Sequence, residues 1–328
     1  MLQVKQIPLL IDHFTPVELE QLRKRIGEEL PKYSSTNPDY EVVYDLIDDR
    51  PADYVRAIQE PEILKTRLKQ YDPRTRKTNT LPSFTEVWNS PKSGLSNAVL
   101  SQSDPHEAKW RLSNKFGYKL ATTFMPMYAK AIYEYFGATR VLDPCAGWGD
   151  RMVGALSSTC VKRYVGFDPN IRLVPGYKRI QSDFGNTATE ISAEHIAFSG
   201  TTNVSTDIYS VPFELSDSRL NESDKFDFAF TSPPFFDYEE YSVENPTYRD
   251  WYAEFYEPLF MITERHLAEN AFFAVHIDDT SAGKISDFLF QRVRQITSFQ
   301  YRGKIGLVGG SSGKIRNVYL FQKDFVRI

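Results

Sequence analysis

Phe226-Asp227-Phe228-Ala229-Phe230-Thr231-Ser232-Pro233-Pro234-Phe235-Phe236 is the stretch from which the rest of the chain can be read. Phe226–Phe230 has the composition of a buried strand. Two prolines then stop the ladder, because neither can donate a backbone hydrogen bond. They also stiffen the turn and restrict the residue ahead of it. The result is a rigid loop at the carboxyl end of a strand, with Ser232 and its neighbouring carbonyls facing one way and Phe235 offering a flat surface. A small planar substrate with an exocyclic amine would stack on Phe235 and donate its amine protons to Ser232 and the Pro233 carbonyl. An ordinary Pro-Pro turn after a strand is the other reading of the same residues.

Around this stretch the hydrophobic pattern alternates between strand and helix. Val141-Leu142, Tyr164–Phe167, residues near 207–211, Phe226–Phe230, Ala271–Ile277, about 299–308 and 317–323 read as seven strands. Helices are predicted over 120–136, from Met152, over 172–184, over 247–268 and over 285–294. Gly137 is placed as a C-cap for the first of these. Alternation of this kind predicts an α/β fold, a Rossmann-like, mainly parallel sheet with helices on both faces. Ligands in such sheets sit beyond the carboxyl ends of the strands.

The first predicted strand runs into Asp143-Pro144-Cys145-Ala146-Gly147-Trp148-Gly149-Asp150, which opens a helix. Closely spaced glycines let the backbone approach a ligand and expose amides at a helix start. Asp168 stands at the tip of the second strand, about 20 residues past the glycines, where a carboxylate grips ribose hydroxyls. A dinucleotide site is the rival. However, Gly147, Gly149 and Gly154 depart from the G-x-G-x-x-G register, and the charge of Asp143 would repel a pyrophosphate. It suits a cofactor with a positive group, such as the amino end and sulfonium of S-adenosylmethionine.

Asp-Pro-x-Ala-Gly-x-Gly at 143–149 followed by Ser-Pro-Pro-Phe at 232–235 resembles the paired signature of the S-adenosylmethionine-dependent amino-methyltransferases of DNA. Thr-Ser-Pro-Pro-Phe is most similar to the cytosine-N4 branch, and some adenine-N6 enzymes share it. The resemblance covers about 115–328. It implies a seven-stranded methyltransferase sheet over 111–328, S-adenosylmethionine as cofactor, and double-stranded DNA with a flipped base as partner. It implies cofactor contacts from Asp143, Pro144, Cys145, Ala146, Gly147, Gly149 and Asp168. Pro212-Phe213-Glu214, after the third strand, is the candidate adenine contact through Glu214, and Phe124-Met125-Pro126 is a second candidate lining element. Catalysis falls to Ser232, Pro233, Pro234 and Phe235, which orient the amine without a covalent intermediate. RNA and protein-amide methyltransferases use a similar loop, so RNA stays open as a partner, as does a non-catalytic binding module.

Other side chains have two readings. Asp237, Glu239 and Glu240 are tempting bases or solvated residues. His276 ends an apolar strand and is a satisfied core histidine or a catalyst. Cys145 lies in the cofactor loop and not after the fourth strand, so it reads as a packing residue, and Cys160 as core. Trp148 packs the loop or fills space.

The 328 residues leave room for a large domain and a smaller one. Hydrophobic content of 41% and charged content of 25% are those of a soluble globular protein. Two cysteines exclude a disulfide framework and a structural zinc site, which fits a cytoplasmic compartment, and no metal site is expected. No apolar run reaches the length of a membrane span.

A net charge of −4 argues mildly against nucleic acid unless the basic residues cluster. Two clusters do exist: Lys65, Arg67, Lys69, Arg74, Arg76 and Lys77, and Arg292, Arg294, Arg302, Lys304, Lys314 and Arg316 around a Gly/Ser loop at 309–313. Each is a phosphate-contacting patch or a solvated surface.

Residues 1–110 are expected to be mainly helical and to contribute target recognition. Thr15-Pro16-Val17-Glu18 caps a first helix carrying Leu19, Leu22, Ile26 and Leu30. One or two more helices are predicted over 41–71, and 80–107 read as a connection.

Overall fold

The computed structural model describes residues 124, 126–221, 223–235, 250–280, 284–308 and 315–324, with the strand segments 42–43, 67–72, 77–80 and 239–240. The predicted first helix at 15–30, the connection at 80–107, Met125, Phe236, Asp237 and the Gly/Ser loop lie outside the described residues.

In chain order the strands are β1 (Val42–Val43), β2 (Arg67–Asp72), β3 (Lys77–Thr80), β4 (Arg140–Asp143), β5 (Arg163–Phe167), β6 (Asn186–Ser192) and β7 (His195–Gly200). They continue with β8 (Ser205–Tyr209), β9 (Phe226–Thr231), β10 (Glu239–Glu240), β11 (Leu267–His276), β12 (Phe299–Val308) and β13 (Ile315–Lys323). The helices are α1 (Pro126–Phe136), α2 (Asp150–Leu156), α3 (Val174–Asp183), α4 (Glu257–His266), α5 (Ile285–Gln291) and α6 (Val293–Ile296).

Ten strands form the main sheet in the order β1-β12-β13-β11-β9-β4-β5-β8-β7-β6. The central run from β11 to β8 is parallel, and β13 is antiparallel to both its neighbours. All seven predicted strands are present, in the Rossmann-like arrangement expected. From β4 the chain first adds β5 and β8 on one side, then β9 and β11 on the other. The order therefore reverses between β4 and β9, and there the ligand crevice of such sheets opens.

Successive residues of a strand point to opposite faces. Val141, Tyr164, Phe228 and Phe230 pack with Ile132, Tyr133, Met152 and Ile180 of α1–α3. Leu142, Val165, Ala229 and Phe273 pack with Leu259, Phe260, Phe288 and Leu289 of α4 and α5. The central strands are thus covered on both sides, which is why they read as continuous apolar runs.

The sheet is wider than the seven strands predicted. The β6–β7 hairpin extends the β8 edge. Its outer strand is exposed along nearly its whole length, so no apolar alternation marks it. At the other edge β1 pairs with β12.

The described segments within 41–71 are strands where helices were predicted. Val42 and Val43 are β-branched, and Pro73 disfavours helix for Asp72 ahead of it. β2 and β3 form an antiparallel hairpin, and β10 adds a third strand, with Glu239 opposite Leu68 and Glu240 opposite Arg67.

The helix predicted over 247–268 also differs. Tyr252–Tyr256 is a π-helical turn preceding α4. Pro258 has no amide to give and its ring crowds the carbonyl four residues back, which the wider turn accommodates. The strand begins directly at Leu267, with Asn270 at φ 63° absorbing a register shift before Phe272.

Gly154 fixes how closely α2 approaches α1. A Cβ there would lie 2.6 Å from the Pro126 carbonyl oxygen and 2.7 Å from Ala129 Cβ. Gly154→Ala should destabilise by about 1–3 kcal/mol through overpacking, although alanine is the better helix former by about 1 kcal/mol. Urea unfolding checks this, and an unchanged or raised midpoint would show that the helices are free to separate.

Candidate functional site

Parallel pairing of Leu142 with Ala229 sets the ends of β4 and β9 side by side, so the loops after Asp143 and Thr231 emerge together. The β4 loop turns tightly through Gly147 (φ 56°) and Gly149 (φ 88°), a backbone region that favours glycine. Ala146 N donates to the Phe167 carbonyl at 2.7 Å, Gly149 N to the Ala146 carbonyl at 3.1 Å, and the Tyr177 hydroxyl to the Gly147 carbonyl. A Cβ at Gly149 would lie 3.0 Å from Ile180 Cδ1 and 3.3 Å from Met152 Cε, so those side chains would have to give way to it.

Asp143 is fully buried. Arg151 reaches back from α2 and donates to both of its carboxylate oxygens, Nε to Oδ2 at 2.8 Å and Nη2 to Oδ1 at 3.1 Å. The Tyr164 hydroxyl adds a 2.6 Å bond to Oδ2, and Cys145 N lies 3.3 Å from Oδ1. Arg151 Nη2 also donates to the Cys145 carbonyl. Burial works against the Arg151 charge, but the Asp143 carboxylate more than offsets it, so the guanidinium stays charged. The sequence reading aimed Asp143 at a cationic ligand. Its cation is Arg151 instead, and the pair shapes the loop from beneath.

Asp168 follows β5. Its Oδ2 accepts from Gly147 N at 3.0 Å and its Oδ1 from Asn170 N at 2.9 Å. Burial pushes its carboxyl up to about 7, against the pull of these two amides. A carboxylate has about four lone-pair sites, so both oxygens can still accept ligand hydroxyls.

Glu214 lies in the 3₁₀ turn Phe213–Leu215 after β8 and is largely buried. It comes near enough to Cys145 to reinforce the effect of burial, which holds that thiol protonated. Cys145 is therefore a poor nucleophile.

In the second loop Thr231 and Pro233 are buried, and Ser232, Pro234 and Phe235 are half-buried. The Tyr256 hydroxyl, at the end of the π-helical turn, donates to the Pro234 carbonyl at 2.7 Å. Ser232 Oγ lies 3.0 Å from His276 Nδ1. The His276 ring meets Phe124 and Phe235 edge-on, with centroids 5.2 and 6.4 Å apart. Phe124 packs on Phe230, and the Arg151 guanidinium lies over both rings at 5.8 and 5.9 Å. An unbroken chain of contacts thus runs from Asp143 through Arg151, Phe124 and His276 to Ser232.

Asp143–Gly149, Asp168, Glu214 and Ser232–Phe235 all stand at the carboxyl ends of β4, β5, β8 and β9. Trp148 and Cys160 pack against the α1–α3 core. Arg151, Tyr164, Tyr177 and Tyr256 were not singled out from sequence. Arg292 pairs with Glu257 at 2.7 and 3.1 Å, and Arg302 donates to Gln322 at 2.9 Å, so part of the C-terminal basic cluster serves the fold. Among the described residues no helix is long and apolar enough to cross a membrane.

The sequence matches no family model and no curated protein. Solved structures similar to it include a methyltransferase from Pyrococcus furiosus, at 13% identity and a TM-score of 0.42 over 67% of this chain and 96% of that one. Trm1 from Pyrococcus horikoshii with S-adenosyl-L-methionine is similar at 12% identity and a TM-score of 0.42, over 62% and 57% of the two chains. The N-methyltransferase NodS from Bradyrhizobium japonicum WM9 is similar at 9% identity and a TM-score of 0.37, over 60% and 86%. These likenesses are distant, and the fold described above rests on strand order and register alone.

Truncating one member of a buried ion pair leaves the other uncompensated, at a cost of about 3–5 kcal/mol. Arg151→Met should lower stability by that amount, and Arg151→Met with Asp143→Asn by clearly less. Equal losses in the single and double variants, measured by denaturant unfolding, would mean that the two residues do not act as a pair.

Proposed function

We propose that the chain is an S-adenosylmethionine-dependent methyltransferase acting on the exocyclic amine of a nucleic-acid base, with a flipped base of double-stranded DNA as substrate and cytosine N4 favoured over adenine N6. The observation carrying this reading is the meeting of the two loops at the β4/β9 switch point, one suited to an adenosyl cofactor and one to an amine. Residues 111–328 carry the transfer chemistry, and 1–110 contribute recognition.

The site residues fit the cofactor. Asp168 accepts ribose hydroxyls, the tight loop at 145–149 brings backbone close to the ligand, and Glu214 flanks the adenine side. Asp143 acts through Arg151 by holding this loop. When bound, S-adenosylmethionine supplies a methyl group on a sulfonium sulfur, which departs as a neutral thioether.

An aromatic amine is a weak nucleophile because its lone pair is delocalised into the ring. Ser232 Oγ and the Pro233 carbonyl accept hydrogen bonds from its two N–H groups, which pulls the nitrogen toward tetrahedral geometry and aims the lone pair, and one of those protons leaves to solvent once the methyl group is in place. Phe235 stacks the extruded base. The Tyr256–Pro234 bond fixes the loop against movement. One observation favours a nucleic acid. β10 begins four residues after Phe235 and pairs with β2, which ties the hairpin carrying Arg67, Lys69 and Lys77 to the segment that follows the catalytic loop. Phosphate contacts there would position the strand without reading sequence.

Transfer of a tritiated methyl group to unmodified DNA, RNA and protein, followed by mass spectrometry of the nucleosides, tests the reading. N4-methylcytosine or N6-methyladenine from DNA is expected. Label only in RNA or only in protein would move the substrate assignment to that polymer. Ser232→Ala and Phe235→Ala should each abolish transfer while cofactor affinity stays within about threefold, since neither residue belongs to the loop at 145–149.

Hydroxyl donors favour the ionised form of Asp168, whose carboxyl ionises only near pH 7 in the free protein. Affinity for S-adenosylhomocysteine should therefore rise with pH up to about 7, by as much as about tenfold per unit, and then level off. Asp168→Asn should flatten that profile. A flat profile in the unaltered protein, measured by calorimetry, would place the ribose elsewhere.

A further inference from the structure

We propose that the pocket between the π-helical turn and α5 takes a second, unstacked base of the substrate strand, and that Asp287 selects there for a base presenting an amino group. The proposal rests on the nucleic-acid reading given above. It adds a specificity-determining site beside the catalytic loop, separate from the place of the reacting base.

Tyr252, Lys284, Asp287, Phe288, Gln291 and Arg292 line a cavity of about 430 Å³, a volume within the usual range of small-molecule sites. Lys284, Asp287, Phe288 and Gln291 recur at helical spacing and share one side of α5. Tyr252 stands across from them, with its ring 5.4 Å from that of Phe288. Both walls are anchored. Asp279, just past β11, accepts from Ser286 N at 2.9 Å and from Ser286 Oγ at 2.7 Å, which pins the start of α5. Arg292, just past its end, donates to Glu257 of α4 at 2.7 and 3.1 Å.

Chain direction puts this cavity on the same side of the sheet as the catalytic loop. α4 leads into the start of β11 and α5 follows its end, so Tyr252 and Lys284 both stand towards the carboxyl ends of the strands. Tyr256 is shared by the two places. Its ring lies 6.0 Å from Tyr252 and 5.7 Å from Phe288, and its hydroxyl donates to the Pro234 carbonyl at 2.7 Å. One side chain thus separates the cavity from the loop that carries Ser232 and Phe235.

The lining indicates the ligand. Tyr252 is half-buried and Phe288 buried, an aromatic wall and an apolar floor on which a flat heterocycle stacks. The charge of Arg292 is met by Glu257. Burial, and after it the carboxylates of Asp279, Asp287 and Asp250, push the Tyr252 hydroxyl up from its ordinary value. The field at this wall is therefore negative, which disfavours a phosphate inside and favours a base edge that donates protons. Asp287 is exposed and ionised, an acceptor only. A carboxylate accepts from the exocyclic amine of cytosine, whereas uracil and thymine present a carbonyl oxygen at the same place and are repelled. Gln291 can donate or accept beside it. Lys284, exposed at the rim, is left for the strand's phosphate.

Saturation-transfer NMR of the full chain with dCMP and dUMP tests the pocket without methyl transfer. The two differ at the amine, and neither resembles an adenosyl cofactor. dCMP should bind about tenfold more tightly than dUMP, and Asp287→Asn should bring the two within about threefold. Tyr252→Ala should weaken both by about tenfold, with Tyr252→Phe close to the unaltered protein. In Phe235→Ala, which removes the stacking surface of the catalytic loop, the preference for dCMP should persist. No saturation transfer to either nucleotide, equal affinities for the two, or a preference lost in Phe235→Ala and kept in Asp287→Asn would overturn the proposal.

Single-stranded oligonucleotides of deoxycytidine and of deoxyuridine carry the test to a polymer, and Asp287→Asn should narrow the gap between them as well. A gap confined to mononucleotides would give the cavity to a free nucleotide and overturn its part in substrate selection. Absence of methyl transfer to every polymer would defeat the function proposed above, and these binding measurements would still decide the pocket.

Discussion

A carboxylate with no access to water must be neutralised where it stands, and Asp143 at the tip of β4 is that constraint in this protein. Arg151, the second residue of the following helix, meets both of its oxygens, and Tyr164 from the neighbouring strand completes the set. Isolated, either charge would be costly in this position. Together they dictate the path of everything between them. The backbone from Pro144 to Asp150 has to leave the sheet and return within a span that Arg151 can bridge. The left-handed turns at Gly147 and Gly149 make that return possible.

The same guanidinium carries this order to the second loop. It lies over Phe124 and Phe230, and Phe124 in turn holds His276 against Ser232. Side chains packed this closely transmit displacement, because interiors have little free volume. The loops that follow β4 and β9 are therefore built as one body. Under the proposed function, preorganisation of this kind would keep the acceptors for an amine in place before a substrate arrives, where a flexible loop would have to be ordered at each turnover.

Much of the frame was legible in the sequence because its strands are buried on both faces. Runs such as Tyr164–Phe167 and Phe226–Phe230 need no periodicity argument, and Pro233-Pro234 marks where the ladder must end. The outer strand of the β6–β7 hairpin was not legible, since a strand whose side chains face water carries no hydrophobic signature, and β7 offers only the short alternation of Ile196 and Phe198. The turn at Tyr252–Tyr256 was read as regular helix because apolar spacing is nearly the same in both forms, and the signal lay in Pro258. At the site, the types of residue were visible and their partners were not. Arg151 reads as a surface residue of a helix until β4 and α2 are set together, and Asp143 then changes from a charge offered to a ligand into one already satisfied. His276 had two readings in sequence, and only the register of β11 against β9 brings it to Ser232.

A structure of the protein with S-adenosylhomocysteine bound is the most direct measurement of the central claim, that a loop held by Asp143 and Arg151 delivers the cofactor to Ser232. The account predicts the ribose hydroxyls on Asp168, the ligand sulfur facing Ser232 across the gap between β4 and β9, and the Asp143–Arg151 pair intact beneath. A ligand bound away from that gap, or one that displaces Arg151 to reach Asp143, would contradict it.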